Sequence, residues 1–151
     1  MSSQKVPEAE NPFRHKIEVQ LRFNDVDIFG HVNNSVYLQF FDLGKLRYFE
    51  TVLGADFQKS GLAVVVANIN CDFFSPAFMN EALAVLTQCE RIGEKSMILH
   101  QRIINLETDE VKCVARTVMV GFDPATLKSA AIPDVLTSQF EHFENRKMTK
   151  S

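Results

Sequence analysis

Residues 22–37 read RFNDVDIFGHVNNSVY and join two segments of different hydrophobic period. Before this stretch, apolar and polar residues alternate over 16–23, the pattern of a half-buried β-strand. After it, apolar residues recur at three- and four-residue steps over 35–53, which predicts a helix. An ordinary strand-to-helix loop needs one glycine and one capping residue, but this one also holds two aspartates and a histidine. We therefore expect the loop to carry chemistry as well as structure.

The predicted helix has signals at both ends and one glycine in its apolar stripe. Asn33, Asn34 and Ser35 all suit an N-cap, and Gly54 suits the C-terminal stop. Gly44 lies among the apolar positions, where a missing side chain lets a helix lie close on a sheet. The polar residues expected largely on the other side are Gln39, Asp42, Lys45 and Glu50.

After Gly61 the pattern is that of strands. Residues 62–74, LAVVVANINCDFF, form a long apolar run that predicts a central strand covered on both faces. Three more strands are predicted over 82–92, 96–105 and 111–122, and a short amphipathic helix over 133–148. Strands without intervening helices favour an antiparallel sheet wrapped around one helix, an α+β fold. Residues 1–14 are predicted to be a flexible N-terminal leader, and 15–148 a single domain.

Composition and charge narrow the class of protein. The chain has 151 residues and a formal net charge of -3, so it has no basic excess to indicate nucleic-acid binding. Its three cysteines, Cys71, Cys89 and Cys113, match no zinc spacing and no redox pair. No signal peptide and no apolar run long enough to span a bilayer is visible. We expect a cytoplasmic protein with reduced cysteines.

Residues 25–50, DVDIFGHVNNSVYLQFFDLGKLRYFE, resemble the hotdog-fold acyl-CoA thioesterases of the 4-hydroxybenzoyl-CoA thioesterase-like family. That family has an aspartate, then Gly-His-Val-Asn-Asn or a variant, then a tyrosine and a helix with a basic residue and aromatics. The matching residues here are Asp27, Gly30, His31, Val32, Asn33, Asn34, Tyr37, Arg47 and Tyr48. Weaker similarities cover 70–85, a strand-Pro-strand turn, and 91–97, a Gly-x-x-Ser hairpin.

The resemblance implies a five-stranded antiparallel sheet around a long central helix. It also implies a homodimer whose sheets continue each other, often paired into a homotetramer, with active sites at the dimer interface. The substrate would be an acyl-CoA, and no cofactor or metal is implied. By analogy, the backbone N–H of Asn34 would polarise the thioester carbonyl, and Lys95 and Ser96 match positions where relatives touch coenzyme A.

Thioester hydrolysis explains why a carboxylate would face a helix start. A carboxylate can attack the acyl carbon or activate water to do so, and Asp27 is the candidate for either role. Unpaired N–H groups and the positive end of the helix dipole can stabilise the developing oxyanion. Asp25 has the ordinary role of an aspartate in a turn.

The neighbouring residues each have a functional and an ordinary structural interpretation. Gly30 indicates a positive φ or a close ligand approach. His31 could pack the loop or protonate the leaving thiolate, and Asn33 could cap the helix or bond the Asp27 carboxylate. Tyr37 could belong to the core or line the acyl slot. Lys95 and Ser96 could equally be ordinary hairpin and strand residues.

Three alternatives stay open from the sequence. Asp25, Asp27 and His31 could hold a metal ion, although no clear fourth ligand is visible. The domain could bind acyl-CoA without cleaving it. It could also hydrolyse thioesters carried on acyl-carrier protein. The phenylalanines that could wall the acyl slot are Phe40, Phe41, Phe73, Phe74 and Phe78.

Overall fold

The computed structural model describes residues 5–148. Its sheet has five long strands in the order β1-β3-β4-β5-β2, all neighbours being antiparallel, and the two-residue β6 pairs with β5. The strands are β1 (His15–Val19), β2 (Val64–Phe73), β3 (Leu83–Ile92), β4 (Ser96–Asn105), β5 (Val111–Asp123) and β6 (Lys128–Ser129). The helices are α1 (Asn34–Leu53) and α2 (Asp134–Glu144). The predicted antiparallel sheet around one long helix is confirmed.

The long helix α1 lies directly on the sheet at Gly44. A β-carbon at this position would be only 2.6 Å from Cγ1 of Val85, so the glycine permits the close contact. The helix ends at Gly54, whose φ is 99° and whose N–H bonds the carbonyl of Glu50 at 2.8 Å. These two glycine predictions are confirmed. Lys45, expected on the polar side, is instead only 9% exposed, because the sheet curls around more of the helix than its apolar stripe.

The prediction that 62–74 form a central strand is wrong, because β2 is an edge strand. Its side chains include Val65, Val66 and Ile69, which are 45%, 50% and 41% exposed. Helix α1 packs mainly against β1, β3 and β4 and reaches β2 where Tyr37 meets Phe73 at the end of that strand. The apolar run therefore indicates a surface that needs cover, but residues 5–148 of one chain leave these three side chains about half exposed.

The second helix is fastened to the far end of α1 by a buried polar contact. The Tyr48 hydroxyl donates to Oε2 of Glu144 at 2.5 Å. The N–H of Cys89 donates to the Tyr48 hydroxyl oxygen at 2.9 Å and to the same Oε2 of Glu144 at 3.2 Å. Burial raises the pKa of the Glu144 carboxyl above its ordinary value. The contact ties α1, α2 and β3 together at the end of the core built around Phe140.

Residues before β1 lie against the face of the sheet opposite α1. The carbonyl of Asn11 accepts a hydrogen bond from Nε2 of Gln88 at 3.0 Å, and the Phe13 ring packs edge-on against His100 at 5.0 Å. No helix or strand is present in residues 5–14, and the predicted division at residue 14 stays a prediction. Between residues 5 and 148, neither helix is long and apolar enough to cross a membrane.

Candidate active site

The loop before α1 folds into a turn closed by its own backbone. The N–H of Asp27 donates to the carbonyl of His31 at 2.8 Å, and the N–H of Gly30 donates to the carbonyl of Asp27 at 3.0 Å. Gly30 has a φ of 79°, with no atom near the position of a β-carbon. The predicted positive φ is therefore confirmed, and it is this bend that lets the chain return on itself.

The Asp27 carboxylate is held by one of its two oxygens. Oδ1 accepts hydrogen bonds from the N–H groups of Phe29 at 2.9 Å and His31 at 3.1 Å. In residues 5–148, Oδ2 takes part in no hydrogen bond. The turn thus fixes the carboxylate and leaves one charged oxygen available for chemistry.

The turn is attached to the segment that follows β2. The N–H of Val32 donates to the carbonyl of Ala77 at 2.8 Å, and His31 forms an isolated bridge with Phe78. The two rings of that bridge also meet edge-on, with centroids 4.9 Å apart. His31 thus has the packing contacts of a loop residue while remaining beside the Asp27 carboxylate.

Asp25 closes the preceding turn, as expected from the sequence. Its Oδ2 accepts the N–H of Arg22 at 2.8 Å, and its carbonyl accepts the N–H of Asn33 at 2.8 Å. The side chain of Asp25 is buried, and the guanidinium of Arg22 lies 3.9 Å away. Across residues 5–148, no group of three or more His, Cys, Asp or Glu side chains is arranged to hold a metal ion.

A crevice of about 120 Å³ opens between this turn and the start of α1. Its volume lies below the roughly 300–1,000 Å³ of most small-molecule pockets. The exposed Asp27 therefore faces a real but shallow recess in a single chain. The lining residues are Asp27, His31, Val32, Asn34, Tyr37, Phe73 and Pro76.

The first backbone N–H of α1 belongs to a residue that lines this crevice, and it is a hydrogen-bond donor without an acceptor among the described residues. Asn34 is the first residue of the helix and lines the crevice, and no hydrogen bond among the described residues has its N–H as donor. Asn33 occupies the N-cap position, but its side chain makes no capping hydrogen bond and none to Asp27. Neither interpretation of the Asn33 side chain is therefore observed, although its backbone forms the helix start.

Tyr37 belongs to the core and lines the crevice at the same time. It is 3% exposed, its ring meets that of Phe73 edge-on at 5.2 Å, and its hydroxyl oxygen accepts the N–H of Ala77 at 3.2 Å. Burial raises the pKa of the hydroxyl, which therefore keeps its proton at neutral pH. The core interpretation of Tyr37 is therefore confirmed, and its role in an acyl slot stays a prediction.

Lys95 and Ser96 lie at the opposite end of the sheet from the crevice. Ser96 pairs with Val120, which pairs with Val65 near the start of β2, whereas Phe73 in the crevice ends that strand. The eight residue steps from Val65 to Phe73 extend over roughly 26 Å. The structure therefore does not bring Lys95 and Ser96 to Asp27 within one chain.

Two crevice residues, Val32 and Pro76, were given no functional role from the sequence. Both stood within segments recognised as motifs, the Gly-His-Val-Asn-Asn loop and the strand-Pro-strand turn, which was the available signal. Of the five phenylalanines considered as walls, Phe73 lines the crevice. Phe40 and Phe41 belong to the buried core, and Phe78 is 38% exposed beside His31.

Comparisons with known proteins agree with this fold. Residues 21–140 match the Thioesterase-like superfamily, and the chain belongs to that family. The chain is 29% identical over 126 residues to the long-chain acyl-CoA thioesterase FadM of Escherichia coli, covering 82% of this chain and 95% of that protein. The predicted family and its hotdog fold are confirmed.

Two further similarities bear on the fold and the substrate. A thioesterase from Thermus thermophilus, solved in complex with coenzyme A and Zn, superposes with a TM-score of 0.79 at 25% identity, covering 90% of this chain and 98% of its own. The chloroplastic acyl-acyl carrier protein thioesterase ATL3 of Arabidopsis thaliana is 25% identical over 131 residues, covering 85% of this chain and 68% of that protein. The class is therefore that of thioester-hydrolysing enzymes.

Proposed function

We propose that the protein hydrolyses acyl-CoA thioesters, releasing a carboxylic acid and free coenzyme A, with Asp27 as nucleophile or general base. The observation that carries this proposal is the Asp27 turn. Its carboxylate has one oxygen fixed by two N–H groups and one oxygen free, beside the unused N–H of Asn34. The acyl-CoA substrate follows from the similarity to FadM.

In this mechanism the free oxygen of Asp27 supplies the electrons for the first bond. It either attacks the acyl carbon, giving a mixed anhydride that water then cleaves, or takes a proton from a water that attacks instead. The carbonyl oxygen becomes negative and accepts the N–H of Asn34 at the positive end of α1. Coenzyme A leaves as a thiolate and takes a proton from His31, a role supported by the contact of His31 with Asp27.

We further propose that the working unit is at least a homodimer, formed through β2, with dimers pairing into a homotetramer. The exposed Val65, Val66 and Ile69 on an open edge strand support this assembly, since unpaired apolar edges normally acquire a partner. The shallow crevice supports it too, because 120 Å³ cannot hold an acyl group and the pantetheine arm.

A two-fold arrangement would also give Lys95 and Ser96 a role. If the β2 strands of two copies run antiparallel about an axis near Ile69, then Phe73 of one copy lies beside the partner's Val65. The partner's Lys95 and the partner's Ser96 belong to that end of its sheet. Together with Gly30, Asn33 and Tyr37 they would form the substrate-binding residues around Asp27.

The test is thiol release from a panel of acyl-CoAs, short to long and aliphatic to aromatic, by the parent and by Asp27→Asn. Asparagine keeps an oxygen that can accept the N–H groups of Phe29 and His31, so the turn should persist while the free charged oxygen is lost. We expect kcat to fall about 100-fold or more at unchanged thermal stability.

Asp56→Asn is the matched control, since Asp56 is exposed outside the crevice and makes no capping hydrogen bond. It should retain parental activity. A folded Asp27→Asn variant with parental turnover would refute the role of Asp27. Saturable acyl-CoA binding by the parent without thiol release would instead establish a binding protein.

Thioesters on acyl-carrier protein are the second candidate substrate, favoured by the similarity to ATL3. Measuring kcat/KM for the same acyl group attached to coenzyme A and to acyl-carrier protein distinguishes the two candidate substrates. We expect the higher kcat/KM for acyl-CoA.

We also propose a cytoplasmic location, supported by the free thiols of Cys71, Cys89 and Cys113, as is usual in a reducing compartment.

A further inference from the structure

The face of the sheet opposite α1 carries a second, larger cavity that the thioesterase mechanism does not use. Its volume is about 330 Å³, within the range of small-molecule sites. Polar residues on neighbouring strands meet there, because Asn70 pairs with Arg116 and Arg116 pairs with His100. The lining residues are Pro7, Glu8, Asn70, Asp72, His100, Arg102, Val114 and Arg116.

Arg102 is a buried cation without an opposite charge. It is 7% exposed, and none of the ion pairs among residues 5–148 includes it. Buried arginine is normally paired with a carboxylate or another anion, because a charge removed from water is otherwise costly. Desolvation and the nearby Arg116 lower the pKa of Arg102, but a guanidinium does not lose its proton in proteins.

The guanidinium of Arg102 is held in place with donors to spare. Its Nε donates to Nε2 of His100 at 3.2 Å, one terminal nitrogen donates to the carbonyl of Pro7, and Cζ lies 5.8 Å from the centre of the Phe13 ring. A guanidinium has five N–H donors, and these two bonds use two of them. Three N–H donors therefore remain for a ligand, and hydrogen bonds from a guanidinium to a carboxylate are among the strong ones.

His100 adds a neutral donor rather than a third charge. Arginine can only donate, so Nε2 of His100 accepts and its proton resides on Nδ1. Burial and the two arginines lower the pKa of His100 to about 4, which keeps the ring neutral at physiological pH. Arg116, whose side chain is 57% exposed, bonds Glu90 at 2.8 Å and lines the same cavity.

Two carboxylates at the rim limit the charge of any ligand. Glu8 and Asp72 are both exposed and line the cavity with Arg102 and Arg116. A multiply charged phosphate would be attracted by the arginines and repelled by these carboxylates. A singly charged group can reach Arg102 while leaving them in solvent. Apolar contact with Val114 and Pro7 suits a short hydrocarbon attached to that group.

We propose that this cavity, on the opposite face of the sheet from the crevice of Asp27, binds a small monocarboxylate through Arg102 and Arg116. The carboxylate supplies the opposite charge for the buried guanidinium, and the short apolar portion lies against Val114 and Pro7. The site shares no lining residue with the crevice.

The experiment is titration of the full-length, isotope-labelled protein with propionate, followed by amide NMR at constant ionic strength maintained with chloride. We expect saturable shifts of residues in β4 and β5 around Arg102 and Arg116. Arg116→Gln removes one cation at a half-exposed position and should weaken binding about tenfold. Arg102→Gln should abolish saturation, provided that its spectrum remains that of the folded chain.

Arg91→Gln is the matched control, because Arg91 is exposed and does not line this cavity. Its titration should match that of the parent. Shifts that fail to saturate in the parent, or that persist unchanged in Arg116→Gln, would overturn the site. Tighter binding of inorganic phosphate or pyrophosphate than of propionate would overturn the assigned ligand class.

Discussion

The hydroxyl of Tyr37 accepts a hydrogen bond from the backbone N–H of Ala77, although the two residues are 40 positions apart in the chain. Ala77 in turn accepts the N–H of Val32 through its carbonyl. Ala77, a single residue in the segment that follows β2, therefore holds both the end of the Asp27 turn and the first turn of α1. The relative position of carboxylate and helix start depends on this joint.

Tyr37→Phe should loosen that joint. Ala77 is fully buried, so its N–H would lose its partner, at a cost of about 1–3 kcal/mol in the free energy of unfolding. Urea denaturation measures this loss, and thiol release should fall more than the population of folded protein does. A loss in stability below about 0.5 kcal/mol, the scatter of neutral surface substitutions, would contradict the proposed importance of this bond.

Substituting the exposed apolar side chains of β2 tests the proposed assembly. Val66→Asp combined with Ile69→Asp would place like charges opposite each other near the two-fold axis, because residue 69 faces its own copy and residue 66 faces the partner's Asp72. Such contacts cost several kcal/mol in an interface. We expect monomers by light scattering and thiol release lowered at least about tenfold. Val135→Asp changes an equally apolar residue, 66% exposed on α2, and should alter neither property. An oligomer of unchanged size in the double variant would exclude the β2 interface.

Gly44→Ala should destabilise the protein even though alanine favours helices. The new methyl group would lie 2.6 Å from Cγ1 of Val85, and overpacking of this kind costs about 1–3 kcal/mol against a helix gain of about 1 kcal/mol. In the Val85→Ala background the same substitution should cost less, and the coupling is measured by a double-mutant cycle. The pair Gln39→Ala and Gln39→Gly, at an exposed position of α1, measures the helix gain without the contact. Additive effects would show that the two positions do not clash.

Glu144 predicts a specific dependence of stability on pH. Burial raises the pKa of its carboxyl in the folded state, so the folded protein binds this proton more tightly than the unfolded chain does. Stability should therefore decrease as pH rises from the ordinary glutamate pKa of about 4.3 through the raised value. Urea midpoints across this range, compared with those of Glu144→Gln, isolate the contribution. If the parent and the variant keep a constant difference at every pH, Glu144 does not titrate in this window.

Local patterns were sufficient to predict much of this fold. The alternation over 16–23 indicated a strand, and β1 extends over His15–Val19. The predicted helix 35–53 begins one residue earlier, at Asn34, and ends where predicted because Gly54 adopts a positive φ. Both outcomes depend on interactions within a few residues, which a single sequence contains.

Relations between distant segments were harder to predict. The apolar side chains of β2 are of the kind found in a central strand, but hydrophobicity does not reveal whether the covering surface belongs to the same chain. Lys95 and Ser96 were assigned a substrate-binding role from a motif. Their distance from Asp27 depends on the register of three neighbouring strands, β4, β5 and β2. The cavity around Arg102 was missed because its lining comes from β2, β4, β5 and the residues before β1, with no local motif.

The self-contained bonding of the Asp27 turn has an evolutionary consequence. The hydrogen bonds that orient the carboxylate come from residues 29 and 31, not from the crevice walls contributed by β2 and the segment after it. Substitutions at Phe73 or Pro76 would thus reshape the recess without displacing the charged oxygen. Selection could change which acyl groups fit while the reactive corner is inherited intact.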